Sequence, residues 1–289
     1  MEICPLDIKD HAAWAQLLAV CFDRTCEQMQ ALLAWYERMG MIAYGAWDGS
    51  RLVGQYAVLK RRLQIPSETM PQLVGLSLNM AIHPDYRGRG LVKQMSAPTY
   101  TQLAAEGGIA GVGFSSAEEV KVDRNSKGYG YSVVGQMPSW IAVPPTRKYR
   151  SSRIKETHQD LVRFRWETET LAYRYNAHPF RQYQTVVDGK NSLVFRDIGR
   201  YGVSLLGAYG QDFEEILQRW WCSLHPQGRY YVHFLSTPNA QLLQDMRITS
   251  LVLPMPVTRN PQYLTVKPLN ENYSLLDFQQ WDCTGGDVL

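Results

Sequence analysis

The sequence predicts a mixed α/β (α+β) chain built from two similar domains. Three observations carry this. A helix, an Asp-Gly hairpin, a strand, a second helix and a further strand follow one another twice, around Asp48-Gly49 and again around Asp188-Gly189. A proline-rich, basic, apolar-poor stretch from Pro144 to Arg153 separates the two runs. The length, 289 residues, suits two domains of ordinary size. The expected division is residues 1–143, a linker over 144–158, and residues 159–289.

In chain order, Met1 to Leu6 reads as a first strand. From Asp10 the apolar spacing of Trp14, Leu17, Leu18 and Cys21 predicts a helix. A second helix is expected from about Glu27 to Arg38, with Met29, Leu32, Leu33 and Tyr36 on one side and Gly40 as the stop. The β-prone runs Met41–Trp47 and Arg51–Leu59 flank Asp48-Gly49, a hairpin signal because both turn positions need positive φ. Gln64 to Gln72, with Pro66 and Pro71, reads as a loop. Leu76 to Ile82 alternates as a strand, and His83-Pro84 ends it because proline cannot donate to the ladder. A helix follows from Leu91, with Pro98 expected to kink or shorten it. Gly107-Gly108 supplies its stop, Ile109–Phe114 a buried strand, Ser115–Glu119 a loop or helix start, and Gly128–Gly135 a turn and strand.

In the second half, a helical stretch is expected over Leu161–Tyr175. The runs Tyr183–Val187 and Ser192–Phe195 form the second hairpin. Then come a strand (Tyr201–Ala208), a helix (Phe213–Leu224), a strand (Arg229–Phe234), a short helix (Gln241–Met246) and a strand (Ile248–Met255). Trp281, Gly285, Gly286 and Asp287 mark a tail tucked onto the body, either as an aromatic anchor or with Asp282, Asp287 or the terminal carboxylate reaching an acceptor pocket.

Composition narrows the function classes. Thirty basic against 27 acidic residues leave a net charge of +3, too little to argue for nucleic acid or an acidic membrane. The five cysteines fall into no metal-ligand spacing, so no metal site is expected and free thiols in a reducing compartment are. Asp7, Lys9, Asp10 and His11 interrupt any signal pattern, and no run has the length of a membrane span. The expected setting is cytoplasmic; no oligomeric state is specified.

One stretch carries chemistry. Arg87-Gly88-Arg89-Gly90 follows a strand and runs straight into Leu91. Free backbone N–H groups and the positive end of a helix dipole then stand just beyond a strand end. This is an anion cradle, suited to a pyrophosphate.

With the Ala46–Gly54 hairpin before it, the segment Asn79-Met-Ala-Ile-His-Pro-Asp-Tyr-Arg-Gly-Arg-Gly-Leu91 resembles the GNAT superfamily of N-acetyltransferases, over about residues 1–142. The family's acyl-CoA loop is written [Q/R]-x-x-G-x-[G/A]; Arg87 and Gly90 match it, and Val92 stands where glycine or alanine is usual, leaving N–H donation open while crowding the helix start. The resemblance implies mixed, mostly antiparallel sheets flanked by helices. It implies transfer of acetyl, or another short acyl group, from acyl-CoA to a primary amine of a small polar acceptor such as an amino sugar, by direct attack in a ternary complex. It places the pyrophosphate on the N–H groups of Arg89, Gly90, Leu91 and Val92, around Gly88, with charge from Arg87 or Arg89. The pantetheine would pair with the backbone of Met80, Ala81 and Ile82, one N–H holding the thioester oxygen as it gains charge. Asn125 resembles a family asparagine that touches the coenzyme.

For the chemical step, the family's proton-donating tyrosine precedes a Gly-aromatic pair. Taking Gly130-Tyr131 as that pair puts Ser126 at the tyrosine position, with Tyr129 the nearest phenol. Glu118 and Glu119 are the base candidates, although either one alone reads first as the acidic first turn of a helix. Ser115 and Ser116 orient a substrate hydroxyl or cap that helix; His83 reads as a turn residue. The second half, through Leu171–Pro179, resembles a W-R-Y-x-x-x-P segment of some tandem acetyltransferases. Its Gly207–Glu215 stretch has no basic residue, so this copy is expected to complete the fold and wall the acceptor site without binding acyl-CoA. Two other readings stay open: an aminoacyl-tRNA-dependent transferase on the same duplicated fold, and a binding module that senses acyl-CoA without turnover.

Overall fold

Two sheets, of ten and six strands, carry the chain in the computed structural model. It describes all residues except 126–129, 144–160, 211–213, 256–259 and 289, and omits the side chains of residues 8, 122–125, 214 and 248. The first run comprises β1 (Glu2–Pro5), α1 (His11–Phe22), α2 (Cys26–Arg38), β2 (Met41–Asp48), β3 (Arg51–Gln64), β4 (Gln72–Ser77), β5 (Ala81–Ile82), α3 (Leu91–Ala105), β6 (Ala110–Ser116), α4 (Ala117–Asn125) and β7 (Ser132–Gln136). The second comprises β8 (Ser139–Val143), β9 (Val162–Arg165), α5 (Thr168–Asn176), β10 (Gln184–Asp188), β11 (Asn191–Ile198), β12 (Gly202–Tyr209), α6 (Glu214–Leu224), β13 (Tyr231–Leu235), α7 (Gln241–Thr249), β14 (Leu251–Pro254), β15 (Gln262–Pro268) and β16 (Trp281–Asp282).

Local chemistry explains most of these elements. Thr25 and Gln28 form a reciprocal capping box at the start of α2. The two Asp-Gly turns place Gly49 at φ 58° and Gly189 at φ 57°, in the left-handed region that glycine tolerates. Strand β3 is buried on both sides. Leu52, Ala57, Leu59 and Leu63 pack toward α1 and α2, while Val53, Tyr56 and Val58 pack with Met95, Tyr100 and Leu103 of α3. Pro98 does not end α3, which runs unbroken to Ala105; its inner face, with Leu91, Val92, Met95, Tyr100 and Leu103 buried, holds the helix to the sheet. A separate core gathers Trp220, Phe234 and Leu242 between the six-stranded sheet and the helices α6 and α7.

Besides the unbroken α3 and the unexpected strand β15, the structure departs from the sequence reading in two places. The helix expected over Leu161–Tyr175 is a strand followed by a helix. Val162 and Phe164 are buried while Arg163 and Arg165 are exposed, a period of two that pairs β9 with β3 and β16. The sheets also do not divide where the linker was expected. Strand β8, which lies ahead of the expected linker, pairs with β13 and β14. Strand β15, from the second half, lies between β6 and β7. Residues beyond the expected linker thus give β9, β15 and β16 to the ten-stranded sheet, while β8 ahead of it joins the six-stranded one; β15 is needed because β6 and β7 are not neighbours and leave a gap that a third strand fills. The linker expected over 144–158 lies outside the described residues.

Candidate active site

Strands β4 and β6 run parallel and pair only through Val74↔Ala110, Gly75↔Gly111 and Leu76↔Val112. Beyond that point they part. On its other edge, β4 meets β3 at Ser77↔Val58, and β5 resumes at Ala81↔Gln55. Three residues, 78–80, therefore face two, 56 and 57, which is a β-bulge. Gln55 donates its side-chain amide to the Asn79 carbonyl and holds the bulge in place. Ala81 and Ile82 stay on β3, while Met80 lines the opening. His83 donates its N–H to Val53, so the alternation of the strand turns the Ile82 N–H off β3. The result is a cavity of about 120 Å³, narrow enough for reacting groups, with Ser77, Phe114, Glu119, Tyr131 and Thr265 in its wall. Thr265 comes from β15 and donates to the Gly113 carbonyl at 3.1 Å, so the second half contributes to this cavity through its lent strand.

Beside this cavity, a 3-10 turn over Pro84–Tyr86 leads into Arg87, Gly88, Arg89 and Gly90, all four exposed. Gly88 has φ 76° and Gly90 φ 70°, and a Cβ at either would meet nothing within 4 Å. The glycines serve the backbone angle rather than close packing. Gly90 begins α3 without a side-chain cap, and no acidic residue stands in the first turn. The helix start is left open to an anion. Val92 does not crowd it: its side chain is 5% exposed and packs into the core under the sheet. The loop is braced from the Asp48-Gly49 hairpin. Tyr86 donates to Asp48 at 2.6 Å, and Arg51 lies 2.7 Å from His83. The Asp48 bond raises the pKa of the Tyr86 phenol. Arg89 stacks over the Tyr86 ring at 4.7 Å, and Arg87 donates to the Ile82 carbonyl.

Three phenols meet at the cavity floor. Tyr56 lies 2.7 Å from Tyr100 and 3.4 Å from Tyr131, and Tyr100 and Tyr131 are themselves hydrogen-bonded. Ser77 stands 3.3 Å from Tyr56. Burial raises the pKa of both Tyr100 and Tyr131 well above the ordinary phenol value, with the Tyr56 phenol adding to it in each case. Both are therefore protonated near neutral pH and are proton donors rather than bases.

The base candidates separate. Glu119 lines the cavity, and its carboxylate accepts from the Ser116 N–H at 2.6 Å while Ser116 accepts from the Glu119 N–H at 3.3 Å. Ser116 and Glu119 thus form a capping box for α4. Glu118 is exposed on the same turn and is not part of the cavity wall. Tyr129 and the Asn125 side chain lie outside the described residues. Sequence reasoning passed over Tyr131, which it used only as a landmark, and over Tyr56 and Tyr100, which lie in a β-prone run and a helical stretch and belong to no motif. Among the described residues no group of three metal-ligating side chains converges, and no helix is long and apolar enough to cross a membrane.

The six-stranded sheet has a second opening of the same kind. Strands β12 and β13 are parallel from Gly202↔Tyr231 to Leu205↔Phe234 and then part. The C-terminal tail fills this opening. Gly285 donates to Leu235 at 3.0 Å and Gly286 to Leu206 at 2.5 Å, and Thr284 bridges to Ser236. Asp287 accepts from Trp166 Nε1 at 2.9 Å and from the Thr284 N–H at 2.8 Å, and Arg174 donates to the Val288 carbonyl at 3.2 Å. Trp281 is fully buried and donates to Leu275. Neither Asp282 nor Asp287 lines the cavity between β4 and β6.

The family model described as an acetyltransferase (GNAT) domain matches residues 2–133. The first half of the chain is a GNAT acetyltransferase domain. Across 93% of the chain, the structure is similar to a GCN5-related N-acetyltransferase from Kribbella flavida (TM-score 0.63, 10% identity, 71% of that chain). A GCN5-related N-acetyltransferase from Anabaena variabilis is similar over the same share (0.63, 11% identity, 73% of that chain). Eis1 from Mycobacterium abscessus is similar over 91% of the chain (0.58, 13% identity, 73% of that chain). At these identities the likeness is one of fold. No curated protein sequence matches the chain.

Proposed function

We propose that the chain is an acyl-CoA-dependent N-acyltransferase with one working site, the cavity between β4 and β6, and that the second half is a degenerate copy of the same fold. The observation that carries this is the adjacency of two features: strands that part at Leu76/Val112, and an uncapped helix start at Gly90. The pyrophosphate would lie on the N–H groups of Arg89 to Val92, with charge from Arg87 and Arg89. The bulged backbone at Met80 to Ile82 would take the pantetheine, with one of its N–H groups holding the thioester oxygen.

An amine attacking the thioester carbonyl carbon forms the C–N bond and breaks the C–S bond. The amine must lose a proton and the departing thiolate must gain one. Tyr131, protonated and lining the cavity, is placed to supply the second. Tyr56 and Tyr100 hydrogen-bond it and keep its hydroxyl directed. Glu119, the one carboxylate among the described lining residues, takes the amine proton, directly or through one water. The acceptor is a primary amine of a small polar molecule, with acetyl as the transferred group.

The test is to follow thermal stabilisation on titrating acetyl-CoA, then to screen amines for thiol release. Gly90→Glu should abolish the stabilisation; stabilisation that survives it would remove the loop assignment. Stabilisation without thiol release across all amine classes would replace the enzyme with an acyl-CoA sensor.

A further inference from the structure

A second cavity, of about 420 Å³, lies between β3, β9 and the start of α5, within the roughly 300–1,000 Å³ typical of small-molecule sites. It is strongly basic. Lys60, Arg61, Arg62 and Arg165 line it, together with Trp166 and Thr170. Arg62 on β3 stands directly opposite Arg165 on β9, both exposed. Like charges so placed repel one another across a strand pair, and a bound anion would turn that repulsion into shared attraction.

Arg61 supplies the independent observation. It is 7% exposed. Its Nη1 donates to the carbonyls of Met39 and Lys60 at 2.8 and 2.7 Å, but among the described residues Nε and Nη2 have no hydrogen-bond partner and no carboxylate is paired with Arg61. Instead Trp166 lies between two guanidinium groups, Arg61 at 5.3 Å and Arg174 at 4.4 Å. Burial and the charge of Arg174 lower the Arg61 pKa to about 10, the mark of a cation held without a counter-ion. Helix α5 begins at the same cavity, and Glu167 gives it no side-chain cap, so its first N–H groups add to the positive field while the exposed Glu169 in its first turn offsets part of it. Two carboxylates are also present. Glu106 is taken up by Lys60 at 3.2 Å and by Gln102 at 3.1 Å, and Glu167 is exposed at the rim.

We propose that this cavity binds a phosphoryl group, free or carried on a small molecule, through Arg62, Arg165 and the start of α5, with the buried Arg61 adding its charge from beneath. Arginine's fork suits tetrahedral oxyanions, and two accessible guanidinium groups backed by a third, buried charge match a dianion better than a single carboxylate. The site is distinct from the Gly88–Gly90 loop. Leu73 lines this cavity and Ser77 the first one; on an extended strand they stand about 13 Å apart. The proposal does not rest on the acyltransfer reading.

The test is calorimetric titration of the full chain with inorganic phosphate and, separately, O-phosphoserine, with chloride at matched ionic strength as the control. Saturable binding of phosphate but not chloride is expected, and tighter binding of O-phosphoserine would identify a phosphomonoester as the ligand. Arg165→Glu and Arg62→Glu, both at exposed positions, should each weaken binding at least tenfold while leaving the melting temperature within a few degrees. Gly90→Glu, at the other anion cradle, should leave it unchanged. Equal signals from phosphate and chloride, an affinity untouched by Arg165→Glu, or loss of binding in Gly90→Glu would each overturn the proposal.

Discussion

The hydroxyl of Tyr56, on β3, lies 2.7 Å from that of Tyr100, on the inner face of α3. Two elements that pack through apolar side chains thus place a polar pair beneath the point where β4 and β6 part, and Tyr131 joins it from just ahead of β7. A hydroxyl cluster buried this far is held protonated by its surroundings.

Replacing Tyr131 by phenylalanine keeps the ring and removes only the proton. In the proposed mechanism Tyr131→Phe lowers kcat about 100-fold, at the lower end of general-acid contributions, with the KM for acetyl-CoA within about twofold. Steady-state thiol release measures both, and an unchanged kcat would take Tyr131 out of the reaction.

Gly90 and Val92 lie two residues apart, and substitution at each should cost stability for a different reason. Gly90→Ala, at φ 70° in open space, costs about 1–2 kcal/mol of backbone strain. Val92→Ala removes buried methyl groups and costs about 2 kcal/mol, but leaves acetyl-CoA affinity within about threefold. Chemical denaturation and ligand titration of the two variants separate the effects.

A fragment ending at residue 143 lacks β15. Leu264 and Val266 of that strand are fully buried, and without them β6 and β7 have no common neighbour. The fragment is expected to lack a cooperative unfolding transition and to bind a hydrophobic dye. Appending residues 260–269 through a flexible linker should restore part of the transition. A cooperative melt of the bare fragment would refute this.

Asp282 makes the tail sensitive to pH. Burial, with a smaller contribution from Asp287, raises its pKa to about 6, against about 3.9 in an unfolded chain. A carboxyl shifted upward favours the fold while it is protonated. Its contribution is full below about pH 4 and is lost as the pH rises through 6. Relative to wild type, Asp282→Asn should therefore gain about 1–3 kcal/mol of stability between pH 4 and pH 7. Denaturant midpoints at the two pH values give the difference directly; a difference that does not change with pH would show that Asp282 does not titrate on folding.

Much of the architecture is legible in the residues. The two Asp-Gly turns, the α1 and α2 periodicities and the Arg87–Gly90 loop follow from local chemistry, and they appear where spacing and turn preference put them. The segment 161–165 was misread because a strand that alternates Val162, Phe164 with Arg163, Arg165 is short. A neighbouring helix pattern masks a period of two when only two buried positions mark it.

The sequence by itself determined the local grammar: where hairpins turn, where helices start, and where backbone N–H groups are left for an anion. Each of these depends on residues within a few positions of one another. Only the tertiary structure decided which strands became neighbours. It inserted β15 between β6 and β7, lent β8 to the other sheet, drew Tyr56, Tyr100 and Tyr131 into one hydrogen-bonded cluster, and filled the second opening with the tail. Those choices are set by which buried surfaces and unpaired strand edges best satisfy one another across more than a hundred residues of chain, and no local preference encodes them.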